Sequence, residues 1–535
     1  MDLKLKFFLS FFIISFALHA QVSIHSTPIH IASGTVLGIK GNLISDQPIS
    51  GEGKIRLNGT DRQLLNLSNQ FVSNLEIENN SGVDLLSDAK INTNLTLTNG
   101  KLNLNNYDLY LSDSAIIFGG DSTNFITNDG TGQVFKSINN DLHEFELPIG
   151  NTNSFRPLFL TTIGNYSNGY IAAKSIDSSV AEKPIYIIDY INNYWKINQS
   201  GINGSINISA QYNVTADVVG NNNNIKGHYF NGTDWAFSTT QVTPDSHRLS
   251  VPVTSPNGII YGMNSFVYLG SKSMLEAAYD SSTGLMNDKL RWPIRYIPLD
   301  DPYRISPYDV NFHHVNNSFA ESINSNILSD QSSLNDNIID WVFIELRNNR
   351  NVGNNVISTR SALLQRDGDI VDIDGKSPVF FNYVEDGNYS LSVRHRNHLA
   401  ISLNPSYSAH MTENKTAAFS NNLIDFTALP TSNIFGSNEG FTTATHPSLN
   451  SIRLMKAGNA NGNGNLRYSG YSNDRATILY DLNNNENNIL TGYHRSDLNM
   501  DGKVDYLGNN NDKYFLLHQI LNTDELKIIK QELPQ

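Results

Sequence analysis

Asn94-Leu95-Thr96-Leu97-Thr98-Asn99-Gly100-Lys101-Leu102-Asn103-Leu104, followed by Asp108-Leu109-Tyr110-Leu111, alternates polar and apolar residues in three short runs, Leu95 and Leu97, Leu102 and Leu104, and Leu109 and Leu111. That period marks strands with one buried face. Working outward, the same alternation appears in Lys54-Ile55-Arg56-Leu57 and in Asn74-Leu75-Glu76-Ile77, so strand signals recur about every twenty residues between Ile29 and Ile138. A repeat of that length predicts a short right-handed parallel β-helix, whose stacked rungs bury a continuous apolar strip. An antiparallel sandwich is the alternative that the spacing leaves open. Abundant Asn and Gly suit the tight turns either fold requires.

From Asn140 to Asn264 the strands stop repeating. Tyr194-Trp195-Lys196-Ile197 reads as a core strand and His228-Tyr229-Phe230-Asn231-Gly232 as a hairpin, which predicts an antiparallel sandwich. Trp195 and Trp235 are expected in its core, since aromatic side chains dominate β cores. A second sandwich is expected from Val267 to Leu403, with Asp367-Gly368 and Asp374-Gly375 as turns between strands.

The fold class expected is therefore mainly β: a parallel β-helix stalk, two antiparallel β-sandwich modules and a small C-terminal calcium-loop and helix module. The boundaries are a signal peptide at 1–20, stalk at 21–139, sandwiches at 140–266 and 267–410, a connecting segment at 411–450 and the terminal module at 451–535. The leader rests on Lys4 and Lys6, the apolar run from Phe7 to Ala17, and small Ala20 before Gln21. That run is short for a membrane anchor, and no later stretch is expected to span a bilayer. Export to an extracellular or cell-surface location follows, and the lack of cysteine is compatible with it. A net charge of -14 argues against nucleic acid as a partner, because phosphate binding relies on Lys and Arg.

The chemistry concentrates near the C-terminal end. Asp497, Asn499 and Asp501 put oxygen-bearing side chains at loop positions 1, 3 and 5; Gly502 allows the sharp turn, the Lys503 carbonyl adds an oxygen, and Val504 anchors the loop in a core. These are ligand types for calcium, a hard cation that takes about six to eight oxygens. An EF-hand closes with Glu at position 12, where this chain has Gly508; the closing carboxylate is instead Asp512, at the start of an expected helix whose apolar positions include Phe515, Leu516 and Ile520. The layout occurs a second time 38 positions upstream (Asn459 for Asp497), with Asn459, Asn461, Asn463, Gly464, the Asn465 carbonyl, Leu466 and Asp474. The upstream loop keeps one carboxylate, Asp474, so weaker binding is expected there. Ca2+ is the one cofactor expected.

Two resemblances follow from these residues. The ordered set Leu275-Glu276-Ala277-Ala278-Tyr279, Asp340-Trp341-Val342-Phe343-Ile344-Glu345, Ala362-Leu363-Leu364-Gln365-Arg366-Asp367-Gly368 and Arg394-His395-Arg396-Asn397-His398 resembles a module of secreted haemagglutinin-like proteins of Gram-negative bacteria. The paired loops resemble divergent dockerin or EF-hand-like repeats. Together they imply a non-catalytic adhesion or interaction protein with a surface glycan or protein receptor as partner. The alternative they leave is a dockerin-bearing component of a polysaccharide-degrading system. No catalytic residue is assigned. His395 and His398, three apart in a strand, are expected on opposite faces, and with His313-His314 they are read as structural. Asp300-Asp301 reads as a turn before Pro302.

Overall fold

The computed structural model describes residues 21–237, 247–317, 319–329, 334–348 and 355–534, so the leader lies outside the described residues. The chain divides into two compact units, one of residues 1–233 with 238–263 and one of 234–237 with 264–535. Both are mainly β. Among the described residues no helix is long and apolar enough to cross a membrane.

The first unit opens as a β-solenoid. Gln21–Ile24, Asn42–Ser45, Gln63–Asn66, Val83–Leu85, Leu102–Asn103, Ile126–Thr127 and Ile149–Gly150 stack as one parallel sheet. Val36–Ile39, Lys54–Leu57, Phe71–Glu78, Ala89–Asn99, Leu109–Leu111 and Val134–Ile138 stack as another. The alternation in sequence becomes alternation between core and solvent: Leu57, Ile77 and Leu97 lie in register and buried, as do Leu43 and Leu65 on the facing sheet. Polar positions stack too, with Asn94 Nδ2 donating to Asn74 Oδ1 at 2.7 Å.

Parallel pairing runs on to Ile149–Gly150, past the sequence-based stalk end at 139. Nor does the second sheet end there. Val134–Ile138 pairs antiparallel with the long strand Leu158–Ile176, which pairs with Tyr190–Gln211, so solenoid and antiparallel part share one sheet. Trp195 is wholly buried here and its Nε1–H donates to the Arg156 carbonyl at 3.1 Å. The Arg156 guanidinium is itself buried against Asp217 at 2.5 Å and Asp177 at 2.9 Å.

In the second unit an eight-stranded sheet is built around Ile338–Asn348, flanked antiparallel by Val356–Gln365 and Gly387–His395. Trp341, Val342, Phe343 and Ile344 are all fully buried, so this strand is covered on both faces. Its near-continuous apolar run is what such a position demands. Phe266–Leu269 and Val379–Asn382 form a separate antiparallel pair.

Candidate metal centre

The two C-terminal loops share most of their construction, and differ at their first position, Asp497 against Asn459. In the second, Asp497 Oδ1 and Oδ2 accept from the N–H groups of Asp501 and Gly502 at 3.0 Å each. Asn499 Oδ1 accepts from Asp501 N–H and Asp501 Oδ1 from Lys503 N–H, both at 3.0 Å. In the first, Asn461 Oδ1 accepts from Asn463 N–H and Asn463 Oδ1 from Asn465 N–H. Each loop is closed by an aspartate in the first turn of a helix: Asp512 accepts from Leu498 and Asp505 N–H at 2.6 and 2.9 Å, and Asp474 from Asn461 and Arg467 N–H at 3.3 and 2.9 Å. The preceding asparagines, Asn511 and Asn473, cap the two helices. Even the surface repeats, with Arg475 over the Tyr468 ring at 4.6 Å and Lys513 over Tyr506 at 4.2 Å. Gly464 and Gly502 both have left-handed φ, +75° and +86°, which a turn this sharp requires of glycine.

The repeats then slip by one residue. Leu482 N–H bonds to Ile478 O, four residues back, whereas Leu521 N–H bonds to Leu516 O, five back, because Phe515–Ile520 is a π-turn. Beyond it the offset is 39, and the left-handed pair Asn483-Asn484 matches Asn522-Thr523. The strands that follow the helices are exchanged: Ile528–Lys530 pairs with Asn465–Arg467 of the first loop, and Leu490–Thr491 with Lys503–Val504 of the second. Leu466, Ile478, Leu482, Val504, Leu516 and Leu521 meet in one core.

Electrostatics distinguish these loops from ordinary Asn-Gly turns. Asp474, Asp497 and Asp512 are fully buried, with backbone N–H groups as hydrogen-bond donors. Burial pushes the Asp474 and Asp497 carboxyls up to about 7, the latter helped by the Asp501 charge and opposed by Arg396. Burial and the Asp497 charge push Asp512 well above the usual carboxylate range. In the first loop Asn459 Oδ1 is buried with no hydrogen-bond partner. All-oxygen donors, buried carboxyls whose ionisation burial opposes and an orphaned carbonyl oxygen are what a hard divalent cation satisfies. Asp497, Asn499, Asp501, the Lys503 carbonyl and Asp512 would hold it in the second loop. Asn459, Asn461, Asn463, the Asn465 carbonyl and Asp474 would hold it in the first.

A hairpin tip joins the loops. The Asn397 carbonyl accepts from Gly458 and Asn459 N–H at 3.0 Å, and its Nδ2 donates to the Asp497 carbonyl at 2.6 Å. The flanking histidines are not on opposite faces. Gly387–His395 and His398–Ser402 form a two-residue hairpin in which His395 and His398 are direct cross-strand partners, so their Nδ1 atoms meet at 3.0 Å. His395 Nε2 reaches Asp340 Oδ2 at 3.0 Å, Arg396 Nε reaches the same oxygen at 3.1 Å, and Tyr493 Oη donates to Oδ1 at 2.6 Å. All four polar groups of the Asp340-His395-Arg396-His398 set are buried.

Sequence reasoning missed a second cluster. Among the described residues, the donor atoms of Asp301, His314 and Glu321 lie within 4.8 Å of one another and could hold a metal ion. Two guanidiniums already serve them: Arg304 lies 3.1 Å from Asp301 and 3.0 Å from Glu321, and Arg360 lies 3.0 Å from Glu321. Charge there is thus balanced from within the chain, unlike in the loops. The only signals were the pairs Asp300-Asp301 and His313-His314; Glu321 carried none. Asp301 does make the expected turn, accepting from Tyr303 N–H at 2.9 Å.

A scan against protein-family models finds no match, and searches of curated proteins and of solved structures likewise return none.

Proposed function

We propose that this chain is an exported, non-catalytic adhesion or interaction protein whose segment from Ser451 binds calcium through two loops. The observation that carries the reading is the duplicated set of oxygen donors closing on Asp474 and Asp512, buried carboxyl groups that accept from backbone N–H groups. Export rests on the basic and apolar pattern of residues 1–20. The adhesion reading rests on the resemblance to haemagglutinin-like surface proteins, with the antiparallel parts of the two units as its sandwich modules and the loops as a dockerin-like repeat. Burial of the Asp340-His395-His398 chain supports a structural rather than catalytic role for the best acid-base constellation.

Calorimetric titration of the full mature chain with calcium tests this. Two binding events are expected, the tighter one at the Asp497 loop. Absence of bound ion, together with identical melting in calcium and in chelator, refutes it. The mature chain is further expected to bind intact cells, and to release no product from common polysaccharides.

A further inference from the structure

Three links tie the C-terminal loops to one another, and each runs through a third segment. Two are the exchanged strands. Asn465–Arg467 and Lys503–Val504 lie in separate two-stranded sheets, each completed by the strand that follows the other repeat's helix. In register, Lys530 faces Asn465 and Thr491 faces Lys503, the two residues whose carbonyls stand at the seventh loop position. Gln531 N–H donates to the Gly464 carbonyl at 2.7 Å and Gly492 N–H to that of Gly502 at 3.0 Å, so each turn glycine is held from the opposite repeat. The third link is Asn397, fully buried at the hairpin tip. Its carbonyl accepts from Asn459 N–H at 3.0 Å and its Nδ2 donates to the Asp497 carbonyl at 2.6 Å. One residue thus holds the first ligand position of both loops. Its Oδ1 accepts from His398 Nδ1 at 2.8 Å, which fixes the orientation of the amide.

We infer that Asn397 couples the two loops, so that calcium in one raises the affinity of the other. A cation in the second loop fixes Asp497, whose carbonyl holds the Asn397 side chain. Asn397 in turn holds the backbone of Asn459, whose Oδ1 is buried with no hydrogen-bond partner. Ordering these groups is needed for either ion, so the first ion to bind bears that cost and the second is spared it. The exchanged strands act in the same direction, since each ties a ligand-bearing turn to the far side of the other repeat. By linkage the two loops must shift one another by the same factor, about fivefold or more for a coupling of ordinary size. The coupling rests on the calcium reading and adds to it that the loops fill as a pair, through a residue outside both of them.

The test is calorimetric calcium titration of the full mature chain and of two chains with one loop silenced, by Asp474→Asn in the first loop and by Asp501→Asn with Asp512→Asn in the second. Each remaining loop is expected to bind about fivefold or more weaker than it does in the parent, by a similar factor in both directions. The same three titrations are then run with Asn397→Ala. There the factor should fall close to one, while the lone active loop of each silenced chain keeps its affinity within about twofold; a charge effect of the silencing substitutions would persist, and a merely structural role would weaken the lone loops as well. Asn397→Ser is measured alongside, thermal melting shows which variants fold, and the factor in the parent is read independently of either. Two bound ions with independent affinities in the parent overturn the inference and leave the calcium reading standing. Coupling that survives the loss of Asn397, or lone loops weakened by that loss, overturns the role of Asn397. Absence of bound ion in the parent removes the calcium reading itself, and the coupling with it.

Discussion

Asp501 and Asn463 occupy equivalent loop positions and differ by one charge, which makes them the natural pair to exchange. Calcium affinity follows the number of carboxylates around the ion. Asp501→Asn is therefore expected to weaken the second loop about tenfold, and Asn463→Asp to tighten the first by a similar factor, both read by calcium titration. The histidine pair makes a second residue-scale prediction. His398 Nε2 accepts from Ala277 N–H at 3.3 Å, so its proton is on Nδ1, where Asn397 Oδ1 accepts it at 2.8 Å with His395 Nδ1 at 3.0 Å; His395 donates from Nε2 to Asp340. This chain is complete with both rings neutral, and a further proton on His398 would face the Ala277 N–H. Burial accordingly lowers the pKa of His395 and lowers that of His398 well below its ordinary value, with the Arg396 charge adding to both. Above about pH 6.5 neither folded nor unfolded rings are charged; as pH falls below it, the unfolded chain takes up protons first and the second unit loses stability. Denaturant melts at saturating calcium should show the slope below pH 6.5 reduced by at most about 1.4 kcal/mol per pH unit in His398→Gln.

At the scale of elements, the π-turn at Phe515–Ile520 accommodates one residue more than the helix Asp474–Asp481 needs. Gln519 is exposed there, while Leu516, Ile520 and Leu521 face the core. Deleting Gln519 should turn the π-turn into an ordinary α-helix and leave Leu521 in its present place. The cost is expected to be within about 1 kcal/mol, with calcium affinity unchanged, by chemical denaturation and calorimetry. Deleting Leu516 removes a buried side chain and should cost at least about 2 kcal/mol. The solenoid strands are legible in the sequence as period-two alternation repeated about every twenty residues, at Leu57, Ile77 and Leu97, because each rung fills the same strip. The helix after Asp512 was legible too, but not its π-turn, since one inserted residue leaves the apolar pattern almost intact.

At the scale of the molecule, the loops are integral to the second unit rather than a module apart. Leu399 lies in their core, Ala277 packs against it, and Asn397 is bonded to both loops. Calcium should therefore raise the unfolding transition of residues 264–535 as a whole, by about 2.7 kcal/mol at a hundredfold excess over the dissociation constant. Differential scanning calorimetry of the full chain, with calcium and with chelator, checks this. A shift confined to a small separate transition would contradict it.

What the sequence determined by itself was whatever is local or repeated. The solenoid strands, the turn glycines and the duplicated loop pattern follow from spacing, because strand pleat and loop closure act over a few residues. The tertiary structure decided what depends on residues far apart in the chain. It brought His395 and His398 face to face through a hairpin, drew Asp301, His314 and Glu321 around two arginines, and carried the solenoid sheet into Leu158–Ile176. It also exchanged the strands of the two C-terminal loop repeats. No spacing rule encodes such meetings, since they arise from how whole sheets bury their faces and pair their edges.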